Sequence, residues 1–190
     1  MSKIMKSEKV EKVEKTDKKD TQKKIGIFSP MVSNININVK SYSIGENLRE
    51  VLSNILSKKI EGKCNKEGFI KKNSCNILKY SSGLLQGDSV RFNVVYECLV
   101  CLPVENMEVD CVAKNITKAG IRAEIPGYEV SPIIIFIARD HHHSNKYFNS
   151  INENDNIQVK VIGIRFELND SFISVIGSLI NKKKEKINIE

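Results

Sequence analysis

The segment between Glu108 and Leu179 constrains the fold most, because its apolar residues recur with a period of two. Val109 to Ile116 runs into a turn at Lys118, Ala119 and Gly120. The chain returns through Ile121, Ala123 and Ile125, which alternate with Arg122 and Glu124. Such alternation marks a half-buried antiparallel strand. Ile133 to Ala138 forms another apolar strand. Ile157, Val159 and Val161 alternate again, and the phase slips by one residue at Gly163, so that Ile164, Phe166 and Leu168 are expected to face inward. A slip at a glycine reads as a β-bulge, the bend a small barrel needs in order to close. Asn169 and Asp170 tolerate positive φ and suit a tight hairpin, after which Ile173 and Val175 resume the pattern. Five short, bulged strands predict a closed barrel of the OB class, a fold that commonly holds single-stranded nucleic acid.

Charge tempers that reading. The 190-residue chain has a net charge of +7, which at first sight suggests a polyanion partner. Residues 1–24 hold nine Lys against five acids, and residues 182–190 hold four Lys against two Glu, which leaves +1 for residues 25–181. A nearly neutral body argues against a tight, dedicated nucleic-acid binder. It favours a domain that meets RNA weakly while attached to something larger. Residues 1–33 read as a disordered charged tail and 182–190 as a basic tail, because neither has the apolar content to offset ordering entropy. No run of 18 apolar residues occurs, so no membrane span is expected. The charged start has no apolar stretch after it and does not read as a signal peptide.

Between tail and barrel the period changes. Ile35, Ile37 and Val39 alternate with asparagines as a short strand. Leu48, Val51, Leu52, Ile55 and Leu56 then form one apolar helical stripe. A turn and Gly68 to Ile70 follow, then a strand near Cys75–Tyr80. Val90 to Leu102 makes one long strand that Pro103 ends, since proline donates no ladder hydrogen bond. Residues 34–103 therefore read as one helix on an antiparallel sheet, residues 104–181 as the barrel, and the short linker between them predicts rigid mutual packing. The fold class is α+β.

The order of these motifs carries a resemblance. Glu61 to Cys64, Gly68 to Ile70, the long strand ending at Leu102 and Pro103, Asn115 to Ile121, Val161 to Arg165, and Ile176 to Leu179 follow one familiar sequence. The chain resembles the family that unites the seventh subunit of eukaryotic RNA polymerase II with its counterpart in the archaeal RNA polymerase. That resemblance implies an RNP-like tip domain followed by an S1-type OB barrel, in a non-catalytic stalk subunit of a DNA-directed RNA polymerase. Its implied partners are the polymerase core, at the clamp region of the largest subunit and a neighbouring small subunit, a fourth-subunit-like stalk partner, and nascent single-stranded RNA. Abundant Lys, Asn and Ile with no Trp reads as an AT-rich coding genome, and with the divergence it points to a version encoded by a large DNA virus. The implied location is intracellular: host cytoplasm, virus factory and virion for a viral protein, the nucleus for a cellular one. A free-standing S1-type RNA-binding or translation factor is the competing reading.

Site candidates follow in two groups. Lys114, Lys118, Arg122, Lys160 and Arg165 are the outward cations of the barrel and the candidate RNA contacts. S1-type domains commonly place an aromatic just after the turn glycine, where this chain has Ile121, so a weak contact without a stacking ring is expected. Gly62, Lys63, Gly68, Phe69 and Ile70 form the candidate docking loop, with Phe69 expected at the surface of a turn as the anchor. Cys98 and Cys101 have the spacing of a zinc knuckle. On a strand, however, residues three apart face opposite ways, so buried reduced thiols are expected and no metal. His141, His142 and His143 read as a polar surface loop, with imidazole stacking on RNA as the alternative. No nucleophile–base pair, phosphate loop or carboxylate pair appears, so neither catalysis nor a cofactor is expected.

Overall fold

Among the described residues, six strands and one helix form the first half of the fold, and five strands with a one-turn helix form the second. In the computed structural model, which describes residues 26–142 and 145–180, the first half contains β1 (Ser29–Lys40), α1 (Leu48–Ile60), β2 (Cys64–Asn65), β3 (Gly68–Ile70), β4 (Asn76–Tyr80), β5 (Leu84–Gln86) and β6 (Ser89–Cys101). The second contains β7 (Glu108–Ile116), β8 (Gly120–Glu124), β9 (Ile133–Ala138), a one-turn helix α2 (Lys146–Asn149), β10 (Asn156–Arg165) and β11 (Ile173–Leu179). Most of the expected charged tail and all of the basic tail at 182–190 lie outside the described residues. Residues 29–33, assigned above to the tail, instead begin β1. The strand is longer than its apolar alternation because β6 offers a partner along its whole length, from Ser29 opposite Val100 to Lys40 opposite Ser89.

The apolar stripe of α1 packs on this sheet. Leu52 and Leu56 are fully buried, with Ile60 one turn further on. They meet Ile37, Val39, Ile70, Ile77, Phe92, Val94, Tyr96, Cys98 and Val100 in one core. The helix ends where Glu61 turns extended and Gly62 takes a φ of 70°, a backbone state that glycine enters without a Cβ penalty. The Glu61 side chain then reaches forward, accepting the N–H of Cys75 at 2.9 Å and of Asn73 at 3.0 Å, which holds the foot of β4.

In the second half the order β10-β11-β9-β8-β7 closes on itself, with β9 and β11 parallel and the other pairs antiparallel. A closed five-stranded barrel of this kind is compatible with an OB-like fold. Gly120 is required by close approach: a Cβ there would lie 2.3 Å from the Ile137 carbonyl oxygen of β9. The expected bulge in β10 is present, with the register against β11 shifting between Val161 and Gly163. The expected phase flip follows it, since Ile164 stands opposite Val175 of the barrel core and so takes the inward face, but that face is uncovered at this end. Ile164 and Leu168 are exposed, and Phe166 is only half-buried against the core. Beyond Lys160 β10 has left β7 and keeps β11 alone, so there is no opposite wall for these side chains to face.

The two halves share a seam built from backbone and side chain together. The N–H of Cys64 donates to the Asp170 carbonyl, and the N–H of Asn169 donates to the Cys64 carbonyl, each at 2.8 Å. Asn169 sits at a φ of 71°, as its place in the β10–β11 hairpin predicts. Cys64, Phe69 and Cys101 are buried in the same cluster as the barrel residues Val109, Ile133 and Ile173. Phe69 is therefore not exposed at a turn as expected. It is 6% exposed and fills the seam. Position explains the correction: β3 lies between β2 and β6, with Phe69 opposite Cys101, and Gly68 lets the backbone close onto the Cys101 carbonyl, where a Cβ would stand 2.5 Å away. Lysines flank the motif in sequence, but the barrel covers the ring. Replacing Phe69 by Ala should lower the unfolding free energy of the isolated protein by about 3 kcal/mol or more, the usual cost of emptying a buried aromatic site. Denaturant titration checks this, and a change under about 0.5 kcal/mol, typical of surface positions, would mean the ring is not buried.

Candidate nucleic-acid and docking surfaces

The barrel's outer face is laid out by register. Reading across it, Asn115 on β7 stands opposite Arg122 on β8, Arg122 opposite Phe136 on β9, and Phe136 beside Ile176 on β11. Lys114 is the extra residue of a second bulge, between Ala113 and Asn115, and so projects next to Arg122. Arg122, Lys114 and the half-open ring of Phe136 thus share one surface. The other candidates do not join it. Lys160 lies across the closing seam, opposite Glu108. Arg165 stands at the free end of β10, opposite Ser174, and pairs with Glu167 at 3.3 Å. Arg122 is also paired, with Glu124 at 3.1 Å. Lys118 caps the β7–β8 turn, which Arg139 braces by donating from Nε to the Lys118 carbonyl at 3.0 Å.

Phe136 is a candidate that sequence reasoning missed. Ile121, at the position where an exposed ring is common, is fully buried, so no side chain there reaches solvent. The ring sits instead on the next strand, within Ile133 to Ala138, a run with no polar residue to reveal its outward phase. Only the register against Arg122 shows which side Phe136 takes. Beside it Ile176 is also exposed, as is Ile162 at the β10 bulge, which makes this half of the barrel face apolar and not basic.

The expected docking loop is largely structural. Ile70 is fully buried in the sheet–helix core, Gly68 and Phe69 form the seam, and Gly62 serves the turn after α1. Lys63 remains at the surface beside a groove of about 440 Å³ between the halves, together with Lys59 and Lys66. Large apolar side chains stand free at the opposite end of the sheet. Leu84 and Leu85 on β5 are 63% and 70% exposed, and Tyr42 is 88% exposed. They flank the β5–β6 turn, where Gly87 takes a φ of 61° and Asp88 pairs with Lys40 at 2.6 Å. That hydrogen-bonded pair holds the Asp88 carboxyl below its ordinary range.

Thiols and histidines take structural places. Cys98 belongs to the sheet–helix core and Cys101 to the barrel core, so two residues three apart on β6 face opposite cores, as strand geometry requires. Burial pushes Cys64 up to about 11, with the Asp170 charge adding, and pushes Cys101 and Cys111 up to about 12. These three are neutral thiols at neutral pH. His142 corrects the expectation of a surface histidine loop: it is 5% exposed. The turn over Arg139–His141 swings it onto the barrel end, where it stacks on Phe148 with ring centroids 5.4 Å apart. Its Nε2 accepts the N–H of Leu179 at 3.0 Å, and its Nδ1 lies 2.9 Å from the Ala138 carbonyl. A backbone N–H can only donate, so Nε2 is bare and Nδ1 carries the proton. The ring ties the ends of β9 and β11 together. His141 is exposed, and His143 lies outside the described residues. Among the described residues no group of His, Cys, Asp and Glu is placed to hold a metal ion, and no helix is long and apolar enough to cross a membrane.

No protein-family model matches the chain. It is 27% identical over 151 residues to the putative DNA-directed RNA polymerase subunit L376 of Acanthamoeba polyphaga mimivirus, covering 71% of this chain and 73% of that protein. It is 25% identical over 163 residues to DNA-directed RNA polymerase II subunit RPB7 of Glycine max, covering 77% of this chain and 89% of that protein. Both relatives are subunits of DNA-directed RNA polymerases, one viral and one eukaryotic, and they support the same role here.

The histidine bridge generates a stability prediction. His142→Ala should cost about 2 kcal/mol, because it strands the buried Leu179 N–H without an acceptor. The loss should be read by thermal or denaturant unfolding. Unaltered stability would show that water replaces the ring at no cost.

Proposed function

We propose that this chain, a viral relative of the RPB7-type subunits of DNA-directed RNA polymerase, is a non-catalytic stalk subunit that docks on the polymerase core through its sheet domain and meets emerging RNA on its barrel. The observation that carries this reading is the free apolar end of the sheet. β6 runs 13 residues from the seam to the β5–β6 turn, roughly 40 Å at strand rise. At the far end Leu84, Leu85 and Tyr42 face solvent, uncovered by any of the described residues. Exposed leucines rimmed by polar residues are what an interface looks like before its partner arrives. This end replaces Phe69 as the proposed anchor. Lys63, with its neighbours at the groove, is left as a rim contact.

RNA is the second contact, and a weaker one. Arg122 and Lys114 offer charge and Phe136 offers a face on which a base stacks, the combination used for single strands without sequence preference. Lys118 extends the same hairpin, while Lys160 and Arg165 stand apart and contribute only through the field. Ile176 and Ile162 favour a protein neighbour, such as a fourth-subunit-like partner, on the other half of the barrel face. The site belongs inside the cell with the polymerase, in the host cytoplasm or virus factory and virion. A free-standing RNA-binding factor would leave the exposed leucine end without a use, and affinity purification separates the two readings. A stalk subunit brings the largest polymerase subunits with it, whereas a free factor does not.

Two outcomes are expected from substitution. Leu84→Asp with Leu85→Asp should release the subunit from the polymerase at moderate salt, because desolvated apolar anchors contribute on the order of 2 kcal/mol each. The isolated variant should unfold within about 0.5 kcal/mol of the parent, as surface changes do. Undiminished co-purification would remove the leucine end from the interface. On the barrel, Phe136→Ala with Arg122→Glu should weaken crosslinking to nascent RNA about tenfold or more, since one stacked base is worth roughly 1–3 kcal/mol. Nucleotide addition on a pre-formed scaffold should stay unchanged. Crosslinking that survives both changes would place the RNA elsewhere.

A further inference from the structure

Cys75 and Cys98 are used by neither contact, yet the fold places them face to face. Asn76 stands opposite Glu97 and Ile77 opposite Tyr96 on β6. One step before Cys75, Ser74 Oγ accepts the N–H of Leu99 at 3.2 Å, and the Leu99 carbonyl accepts the N–H of Lys71 at 2.9 Å. Lying between Ser74 and Asn76, Cys75 falls opposite Cys98. Because Leu99 turns its N–H and C=O towards this loop, Cys98 turns its own towards β1, where it stands opposite Met31. The two cysteines thus occupy a position without ladder hydrogen bonds, where antiparallel Cα atoms are about 4.5 Å apart. A disulfide spans roughly 4.4–6.8 Å between Cα atoms. Both side chains lie at the same core, Cys98 within it and Cys75 packed against it, and the foot of the loop is pinned by Glu61. No comparable pairing exists for Cys64 and Cys101, which lie two strands apart, about 9.5 Å in the ladder direction.

We propose that Cys75 and Cys98 form an oxidation site that a peroxide-class oxidant converts into a cross-strand disulfide. Cys75 is half-buried and Cys98 is buried, so solvent reaches the Cys75 sulfur first. That sulfur takes one oxygen as the O–O bond breaks, giving a sulfenic acid and one water. The Cys98 sulfur then attacks it, the S–O bond breaks, and a second water leaves as the S–S bond forms. Two thiols lose two electrons, which reduce one peroxide. The hydrogen bond from Cys75 draws the Cys98 thiol down, which suits the attacking role. The same bond, burial and the Glu61 carboxylate push Cys75 up, so the reaction is slow at neutral pH and faster in mild alkali. The closed loop contains β4 and the β5 leucines, so the bond staples the base of that arm. The site itself does not depend on what the arm binds.

Hydrogen peroxide treatment of the full chain tests this, with free thiols counted under denaturing conditions and disulfides mapped by peptide mass spectrometry. Two of the five thiols should be lost together, with a reducible link joining the Cys75 and Cys98 peptides. Cys98→Ser should leave a sulfenic acid on Cys75 that dimedone traps, and Cys75→Ser should retain all its remaining thiols under the same dose. A link to Cys64, Cys101 or Cys111, or oxidation of Cys75 past sulfenic acid in the parent chain with no link formed, would overturn the proposal.

Discussion

Strand β6 belongs to two cores at once, and the arrangement of everything else depends on that. Its Phe92, Val94, Tyr96, Cys98 and Val100 face the helix α1, whereas Cys101, at its last residue, enters the barrel core. The change of allegiance costs little because a strand presents opposite faces to alternate residues. Phe69 completes it from β3, wedged between Cys64 and the barrel. The paired hydrogen bonds between Cys64 and the Asn169–Asp170 turn then fix the register of one half against the other. Apolar packing alone would allow the halves to slide, since it has no direction. Two backbone bonds at 2.8 Å remove that freedom.

A seam fixed at one end of a long sheet makes the other end a lever. Exposed apolar side chains at Leu84, Leu85 and Tyr42 lie as far from the barrel as β6 reaches. Burying a leucine contributes about 1.5–3 kcal/mol, so in the docking proposed above this small cluster would bias the contact without sustaining it alone against the cost of association. The rest has to come from the polar rim and from neighbouring subunits. Because these bonds set one half against the other, a partner docked on the sheet as proposed would also set the direction in which the barrel face points.

Much of the fold was legible from periodicity. The helix stripe at Leu48–Leu56, the strands at Val109–Ile116 and Ile121–Ile125, the bulge near Gly163 and the opposed faces of Cys98 and Cys101 all follow from local alternation, and tertiary packing left them in place. Failures came where a third element decides the outcome. Phe69 sits among polar neighbours in sequence, and only the barrel, some forty residues and more further on, covers it. Ile164 and Leu168 alternate correctly but lack a facing strand. His142 looked polar because its acceptor role depends on Leu179, which sequence places 37 residues away. Phe136 hid in an apolar run whose two faces differ only once β8 and β11 are in register. Long-range pairing is the physical quantity that sequence alternation does not contain.

The barrel face also has to be weighed by magnitude. The body carries only +1 over residues 25–181, and two of the five candidate cations are already within 3.3 Å of a carboxylate. Each phosphate contact adds about 0.7 to the salt slope for a single strand, so in the proposed contact the two or three cations outside those pairs would give a shallow dependence and a weak affinity. Attachment changes what that affinity means. A contact held beside a transcript that is itself tethered works at an effective concentration in the millimolar range, where a dissociation constant near 1 mM, about 4 kcal/mol, gives substantial occupancy. In the proposed contact, weak, sequence-tolerant stacking on Phe136 would then be an advantage, because an advancing strand has to leave each contact as readily as it makes it. Near-neutrality, which argues against a free RNA-binding factor, is therefore consistent with a barrel carried on a larger machine.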